Sequence, residues 1–463
     1  MLTWAFLSNK MNKTEYNINI QYSKEDSKMK RFALEKLKEW KDKPNRKPLI
    51  IRGARQVGKT WLMKEFGRTC FEKVAYVNFD SNTRMQQVFE GEIRIERIIL
   101  AISAETGVSI DAQNTLLIFD EVQEVPKALS SLKYFCENAP EYAIVAAGSL
   151  LGVALHKGTS FPVGKVDFMD LYPLTYQEFL CALGEERFVE ILQGQDTDMV
   201  TMFKSKYIDR LREYYYVGGM PEVVRTYVET KDFNKVREIQ KNLLNYYQQD
   251  FSKHAEISLV PRLNLVWNSI PMQLAKENKK YIYGQVRKGS RAKDFELAIQ
   301  WLLDCGLIHK VQRAGKAALP LKAYLDLDVF KIYLLDVGLL MAMTDMDAQV
   351  IIDGNRIFTE FKGALTEQYV LQQLIALDSI EPYYYSTTNS SGEIDFLLQG
   401  RTSIIPLEVK AEENLRAKSL KAFCEKYKPK YAVRTSMSDY RKQEWMTNIP
   451  LYNIDRIKEY LEQ

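Results

Sequence analysis

Cysteine and histidine are scarce in this chain of 463 residues, which has five of the first (Cys70, Cys136, Cys181, Cys305, Cys424) and three of the second (His156, His254, His309). No CxxC pair and no ligand-like histidine spacing occurs, so neither a disulfide framework nor a zinc site of the common kind is indicated. Scattered free cysteines make a reducing cytoplasm the expected compartment. Long apolar runs are also missing. The longest, Tyr142 to Leu155, is too short and too broken by glycine and serine to cross a bilayer, and no membrane partner is expected. Nor is there an excess of one charge: 64 basic residues face 60 acidic ones, too even a balance to imply a polyanionic partner by itself. The opening "MLTWAFLSNK" lacks the flanks of a signal peptide. An amphipathic stretch and a basic linker, "MKRFALEKLKEWKDKPNRKP", begin at Met29, so residues 1–28 are expected to be a loose extension and Met29 the natural start. The chain is too long for one core, and several domains are expected.

What the chain does have is "LIIRGARQVGKTWLMKEFG", Leu49 to Gly67. Within it Gly53-Ala54-Arg55-Gln56-Val57-Gly58-Lys59-Thr60 fits GxxxxGK[ST]. Glycines let successive backbone N–H groups turn inward onto phosphate oxygens, and the following helix presents its positive end to the same anion. Lys59 supplies a point charge for the β- and γ-phosphates, and the Thr60 hydroxyl a ligand for Mg²⁺. An apolar strand before the loop and helical spacing of Leu62, Met63 and Phe66 after it supply the context this pattern needs; the bland alternative is a Gly-rich turn with a surface lysine. Further on, "NTLLIFDEVQEVP" reads as a strand ending in Asp120-Glu121. Nucleotide hydrolysis needs a carboxylate near the metal and a base for the attacking water; Asp120 suits the first role and Glu121 the second. A third strand, "YAIVAAGSLL", ends at Gly148-Ser149, where Ser149 is placed to sense the γ-phosphate or is an ordinary loop serine. ATP and Mg²⁺ are the cofactors expected.

From Pro48 to about Asp170 the strands "PLIIRG", "VAYVNFD", "TLLIFD", "YAIVAAGS" and "KVDFMDL" recur at helix-length intervals. That alternation predicts an α/β fold, a parallel sheet sandwiched by helices. Residues 29–172 form this core, and 173–257 read as a helical lid with a sharp turn or hinge at Gly218-Gly219. Residues 258–345 carry helices, then a turn at Ala314-Gly315-Lys316 and a further strand, a winged-helix-like order. Lys276 to Asp294 holds seven basic residues against two acidic ones, with Tyr281 and Tyr283 between them. It reads as a DNA-contacting face or as a solvated surface.

Residues 346–463 hold the second constellation. "FTEFKGALTEQYVLQQLIAL" is a helix with Glu360 and Glu367 on one face. "GEIDFLLQGRTSIIPLEVKA" is a hairpin whose loop, Gly400 to Ser403, pairs Gln399 with Ile404 and sets Asp395 opposite Glu408. Carboxylates ~5 Å apart repel unless something neutralises them, and a second divalent cation would do so. Lys410 shares the face of Glu408 and suits work on a metal-bound water or a developing phosphate charge. A charged outer face of an edge hairpin is the bland alternative.

Taken in order, "GARQVGKT", "LLIFDEVQEVPKALSSLK", "AAGSLL", "GKVDFMDLYPLTYQEFL", "VGGMPEVV" and "GALTEQYV…EIDFLL…PLEVKA" resemble one group of proteins. These are the bacterial and archaeal AAA family ATPases that join an ATPase core to a C-terminal domain of unknown function with a restriction-endonuclease-like fold. The resemblance implies a winged-helix segment, a C-terminal α/β region of PD-(D/E)XK type, and Glu367, Asp395, Glu408 and Lys410 as its site. Where that family has Gly-Arg this chain has Gly164-Lys165, so a candidate for γ-phosphate stabilisation keeps its charge and loses its fork. Two readings follow. One is an ATPase whose nucleotide state controls a DNA- or partner-directed endonuclease-like module, and the other a nucleotide-gated switch with slow hydrolysis whose C-terminal region only binds. A homo-oligomer or a protein partner accompanies either.

Overall fold

The computed structural model describes residues 29–148, 161–276, 279–348, 359–377, 380–387, 392–413 and 417–462. The extension 1–28 and Ser149 lie outside these, as does the side chain of Glu360. Five strands make the first sheet: β1 (Leu49–Arg52), β2 (Lys73–Asn78), β3 (Thr115–Asp120), β4 (Ala143–Ala147) and β5 (Asp167–Asp170). All pairings are parallel, in the order β2-β3-β4-β1-β5. The reason is burial on both faces. Along β3 and β4 alternate residues enter different cores: Leu116, Ile118, Ala143 and Val145 pack with Leu37, Trp40, Leu62, Met63 and Phe66. Leu117, Phe119, Ile144 and Ala146 pack with Met85, Phe89, Ile98, Ile102, Leu132 and Phe135. A sheet apolar on both sides needs a helical layer on each, which is the parallel α/β solution. Because β4 lies between β1 and β3, its carboxyl end sits between the loop after β1 and the acidic pair after β3.

The second sheet has eight strands in the order β12-β13-β11-β10-β9-β8-β6-β7. Its members are β6 (Ile308–Ala314), β7 (Leu325–Leu334), β8 (Tyr383–Ser386), β9 (Glu393–Gln399), β10 (Ile404–Val409), β11 (Val433–Ser436), β12 (Arg441–Lys442) and β13 (Thr447–Pro450). The hairpin β9–β10 pairs Gln399 with Ile404 and Leu407 with Phe396, the register the loop length predicts. Helices Val260–Leu274, Tyr283–Val286 and Ala292–Asp304 precede β6 and β7. That hairpin is no free wing: β6 runs parallel to β8, so strands on either side of residue 345 share one sheet.

One buried helix, Thr359–Ala376, ties the two sheets' surroundings together. Gln368 receives the Leu334 N–H at 2.9 Å and donates to the Leu334 carbonyl at 2.6 Å, closing the outer edge of β7. Gln372 donates to Asp336 and to the Tyr214 hydroxyl, both at 3.0 Å. Asp336 in turn accepts the Gly219 N–H at 2.6 Å. The Gly218-Gly219 turn, between helices Lys204–Val217 and Pro221–Thr230, is therefore held through Asp336 to the buried helix. A Cβ on Gly219 would lie 2.1 Å from the Leu174 carbonyl oxygen, and that backbone is itself bonded to Gly219. Gly219→Ala is expected to cost about 3 kcal/mol or more, as overpacking against backbone does. Gly363→Ala, whose Cβ would meet open space in a helix, is the control and should be neutral or stabilising. Thermal midpoints of the two variants check this.

Candidate functional site

The loop after β1 adopts a backbone few sequences permit. Gly53 has φ 149°, Gln56 φ 67° and Gly58 φ 94°. A Cβ on Gly53 would stand 2.3 Å from the Leu171 carbonyl oxygen. Ala54 and Val57 are buried and pin the loop from below, and Gly306 comes close to the Ala54 amide. Gly58 leads straight into the helix Lys59–Cys70.

Lys59 is almost fully buried, with its ammonium donating to the Gly53 and Ala54 carbonyls at 2.9 and 2.8 Å. Desolvation pulls its pKa down to about 8, against the opposing pull of Glu121 and Asp120. The Thr60 hydroxyl donates to Asp120 Oδ2 at 2.7 Å. Two hard oxygen donors therefore meet next to a buried cation, at the carboxyl ends of parallel strands. A cradle too tight for a Cβ and an oxygen pair of this kind fit a triphosphate and Mg²⁺.

Asp120 is fixed from three sides. Besides Thr60, Tyr76 on β2 donates to Oδ2 at 2.9 Å, and the Glu121 amide donates to Oδ1 at 3.1 Å. Burial, then the charge of Asp120, drives the Tyr76 phenol well above its ordinary range, so it stays a donor. Glu121 sits in the left-handed region (φ 50°, ψ 43°), a conformation that costs a non-glycine residue about 1 kcal/mol or more. Its Oε2 accepts from Gln123 at 2.6 Å. A cavity of about 640 Å³ opens here, lined by Arg55, Lys59, Thr60, Glu121 and, from the helix Pro221–Thr230, Pro221 and Arg225.

Three contributors escape a motif reading. Arg31, buried, donates to the Val57 carbonyl at 2.9 Å and to the Tyr172 carbonyl at 2.6 Å, and pairs with Glu178 at 3.2 Å. Tyr76 and Arg225 are the others. Arg31 and Arg225 belong to segments distant in sequence; the one available signal was Tyr76, since β2 neighbours β3. Lys165, by contrast, pairs with Glu137 at 2.9 Å. It precedes β5, whose Asp167 aligns with Leu49, so it lies at the amino ends of the strands and away from its own chain's loop.

The second constellation is assembled too, with a different neutraliser. Glu367 is paired to Lys279, stands 3.8 Å from Lys331, and accepts from the Tyr333 hydroxyl at 3.2 Å. Burial would raise its carboxyl, but the two ammonium groups outweigh burial and hold it below the usual value. Lys331, fully buried on β7, also meets Glu393 at 2.5 Å. Asp395 accepts the Val409 N–H at 2.7 Å. Burial and then the Glu367 charge push its pKa up to about 7. Lys410 pairs with Glu408 at 2.8 Å, while Glu408 Oε2 is buried without a hydrogen-bond partner among the described residues. Lysine side chains thus stand against Glu367, Glu393 and Glu408, one of them from the basic run. Among the described residues no group of three or more His, Cys, Asp or Glu side chains is placed to hold a metal.

That basic run is divided. Arg287, Lys288, Arg291 and Lys293 are exposed, whereas Lys279 turns inward. Tyr281 stacks on Phe330 (5.5 Å, 16°) and is buried, and Tyr283, half-buried, packs edge-on to it, so both rings are engaged in packing.

Family models match three stretches: an AAA domain over residues 45–180, and domains of unknown function over 208–350 (DUF8612) and 362–454 (DUF4143). No curated protein matches the chain. Among solved structures, a Walker-type ATPase of Pyrococcus abyssi is similar at 14% identity, over 68% of this chain and 96% of its own, with a TM-score of 0.43. The Orc1 protein of Aeropyrum pernix, solved in complex with DNA, is similar at 11% identity over 70% and 93%, with a TM-score of 0.29. Scores this low bear no weight for activity. Residues 45–180, with their phosphate-binding loop and parallel sheet, are the part of the chain that matches an AAA domain.

Proposed function

We propose that the protein binds ATP with Mg²⁺ in the loop Gly53–Thr60 and hydrolyses it, and that nucleotide state governs binding by the C-terminal segments. The observation carrying this is the meeting of Thr60 and Asp120 beside buried Lys59 and next to Glu121. Backbone amides of the loop and the Lys59 ammonium hold the phosphates in place of the Gly53 and Ala54 carbonyls. Thr60 and Asp120 are the side chains that would ligate Mg²⁺, which would supply charge neutralisation to the phosphates. Glu121 orients the attacking water and takes its proton.

For the C-terminal carboxylates, Lys331 and Lys279 against Glu367 favour binding over cutting. The partner inferred is nucleic acid, met by the exposed Arg287, Lys288, Arg291 and Lys293. Titration calorimetry with ATP, phosphate release in Mg²⁺ and in chelator, and plasmid cleavage in Mn²⁺ test these statements together. ATP that fails to bind overturns the proposal at its root; cleavage lost on Asp395→Ala overturns the binding-only reading.

The Lys59 ammonium also predicts a pH profile. In the ligand-free protein it deprotonates near 8, and a bound polyanion favours its charged form. Affinity for ATP is therefore full below about 8 and declines as pH rises past that value. Between pH 7.5 and 9 a loss of about tenfold is expected, measured as the dissociation constant at each pH.

A further inference from the structure

Cradling a triphosphate asks only for the backbone of residue 55, yet the chain places an arginine there. The Arg55 side chain is 47% exposed and lines the same cavity as Lys59, Thr60 and Glu121. Its Nη1 lies 2.5 Å from Oδ1 of Asp250, a carboxylate only 10% exposed on the long lid helix Phe233–His254. The same helix holds the backbone of that residue, because the Tyr247 hydroxyl donates to the Arg55 carbonyl at 2.9 Å. Both ends of residue 55 are thus set by the lid, and among the described residues Asp250 is the guanidinium's one ion-pair partner. The Arg55 guanidinium and the Lys59 ammonium thus belong to one cavity. Two cations converging on one cavity are relieved by a polyanion between them. Lys165, at the far ends of the strands, does not meet this need from within its own chain.

We propose that Arg55 is a catalytic residue, its guanidinium stabilising the charge that develops on the γ-phosphoryl oxygens, and that Asp250 is its positioning residue. The proposal rests on the hydrolytic reading above. In the step concerned, a water oxygen bonds to the γ-phosphorus as the bond to the β–γ bridging oxygen breaks. The electron pair of that bond leaves with ADP, and one water proton passes to Glu121, giving ADP and phosphate. Arg55 exchanges no proton; its planar fork meets two oxygens at once, which an ammonium does not do. Anchoring by a buried carboxylate sets the fork before the reaction, so it need not reorganise when charge appears.

The test uses the full-length protein, with nucleotide affinity and single-turnover phosphate release measured separately. Arg55→Ala is expected to lower the rate by about 10³-fold with the ATP dissociation constant within about threefold, the scale of a guanidinium acting on a phosphoryl group. Arg55→Lys should recover part of the rate, and millimolar guanidinium ion should rescue Arg55→Ala but not Lys59→Ala. Asp250→Asn should lose less than Arg55→Ala, and the double variant should be no worse than Arg55→Ala alone. An Arg55→Ala rate within threefold of the native protein overturns the assignment. So does a loss carried wholly by the dissociation constant without guanidinium rescue. A native protein that binds ATP and never releases phosphate removes the hydrolytic reading together with this role, whereas a working native enzyme with an unimpaired Arg55→Ala removes this role alone.

Discussion

Glu121→Gln is expected to keep ATP bound about as tightly as the native protein and to slow phosphate release by about 10²–10⁴-fold, the contribution of a positioned general base. The amide preserves the size of the side chain and its ability to accept from Gln123 Nε2, now at 2.6 Å from Oε2, but it takes no proton from water. The strained backbone at residue 121 gives a second reason to expect a rate effect without loss of structure. A left-handed glutamate, whose amide is bonded to Asp120, is held where ordinary strand geometry would not put it. Relieving that strain would be a stabilising change: Glu121→Gly should raise the melting temperature while abolishing turnover, whereas Glu121→Gln leaves the backbone and the melting temperature as they are. Phosphate release that is unchanged in Glu121→Gln would take the base away from Glu121 and leave hydrolysis to the water, the metal and the charges of Asp120 and Lys59 without it. The clean readout is single-turnover release with nucleotide affinity measured beside it, since a fall in affinity would point instead to damage at the loop.

The ATPase core is legible because its signals are local. Apolar strands end directly in the groups that act, as β1 runs into Gly53 and β3 ends in Asp120, and a sheet buried on both faces leaves continuous apolar runs such as "TLLIFD". The hairpin β9–β10 is legible for a similar reason: a short loop fixes the register arithmetically. What neutralises its carboxylates is not. Lys331 stands in "VFKIYLL" as one charge in an apolar strand, and the pairing of β6 with β8 brings β7's end of the sheet to Glu393 on β9. Lys279 reads as one more cation in a basic run because nothing near it in sequence marks its partner, 88 residues on. Arg31 and Asp336 share that fate. Each is a charge whose meaning comes from groups far along the chain, Glu178 and the Tyr172 carbonyl for one and the Gly219 amide for the other. Tyr281 and Tyr283 show the opposite error: aromatics between lysines suggest stacking on bases, and tertiary packing against Phe330 claims them first.

Asp395→Asn is the second large effect expected, and its sign depends on pH. In the unfolded chain this carboxyl titrates near its ordinary 3.8, and in the fold near 7, because burial and then Glu367 oppose its charge. The folded state therefore holds the proton more tightly. The stability this carboxyl lends is present below about pH 4 and is lost as pH rises through 7, leaving a buried charge that costs about 3–4 kcal/mol at pH 8. Asparagine carries no such charge and can still accept the Val409 N–H through its carbonyl oxygen. In chelator the variant should melt above the native protein at pH 8 and lose that advantage at pH 4. A structural ion pair predicts the reverse: were Lys331 and Lys279 enough to make ionised Asp395 favourable, removing its charge would destabilise the fold at pH 8. Divalent cation then separates the two uses of the constellation. If Mn²⁺ raises the melting temperature of the native protein at pH 8 and leaves Asp395→Asn unmoved, the carboxylate is kept at a stability cost in order to hold a metal, and the lysines are its occupants only while the metal is away. If Mn²⁺ moves neither, the lysines have replaced the metal outright, and the C-terminal segment recognises its partner without cutting it.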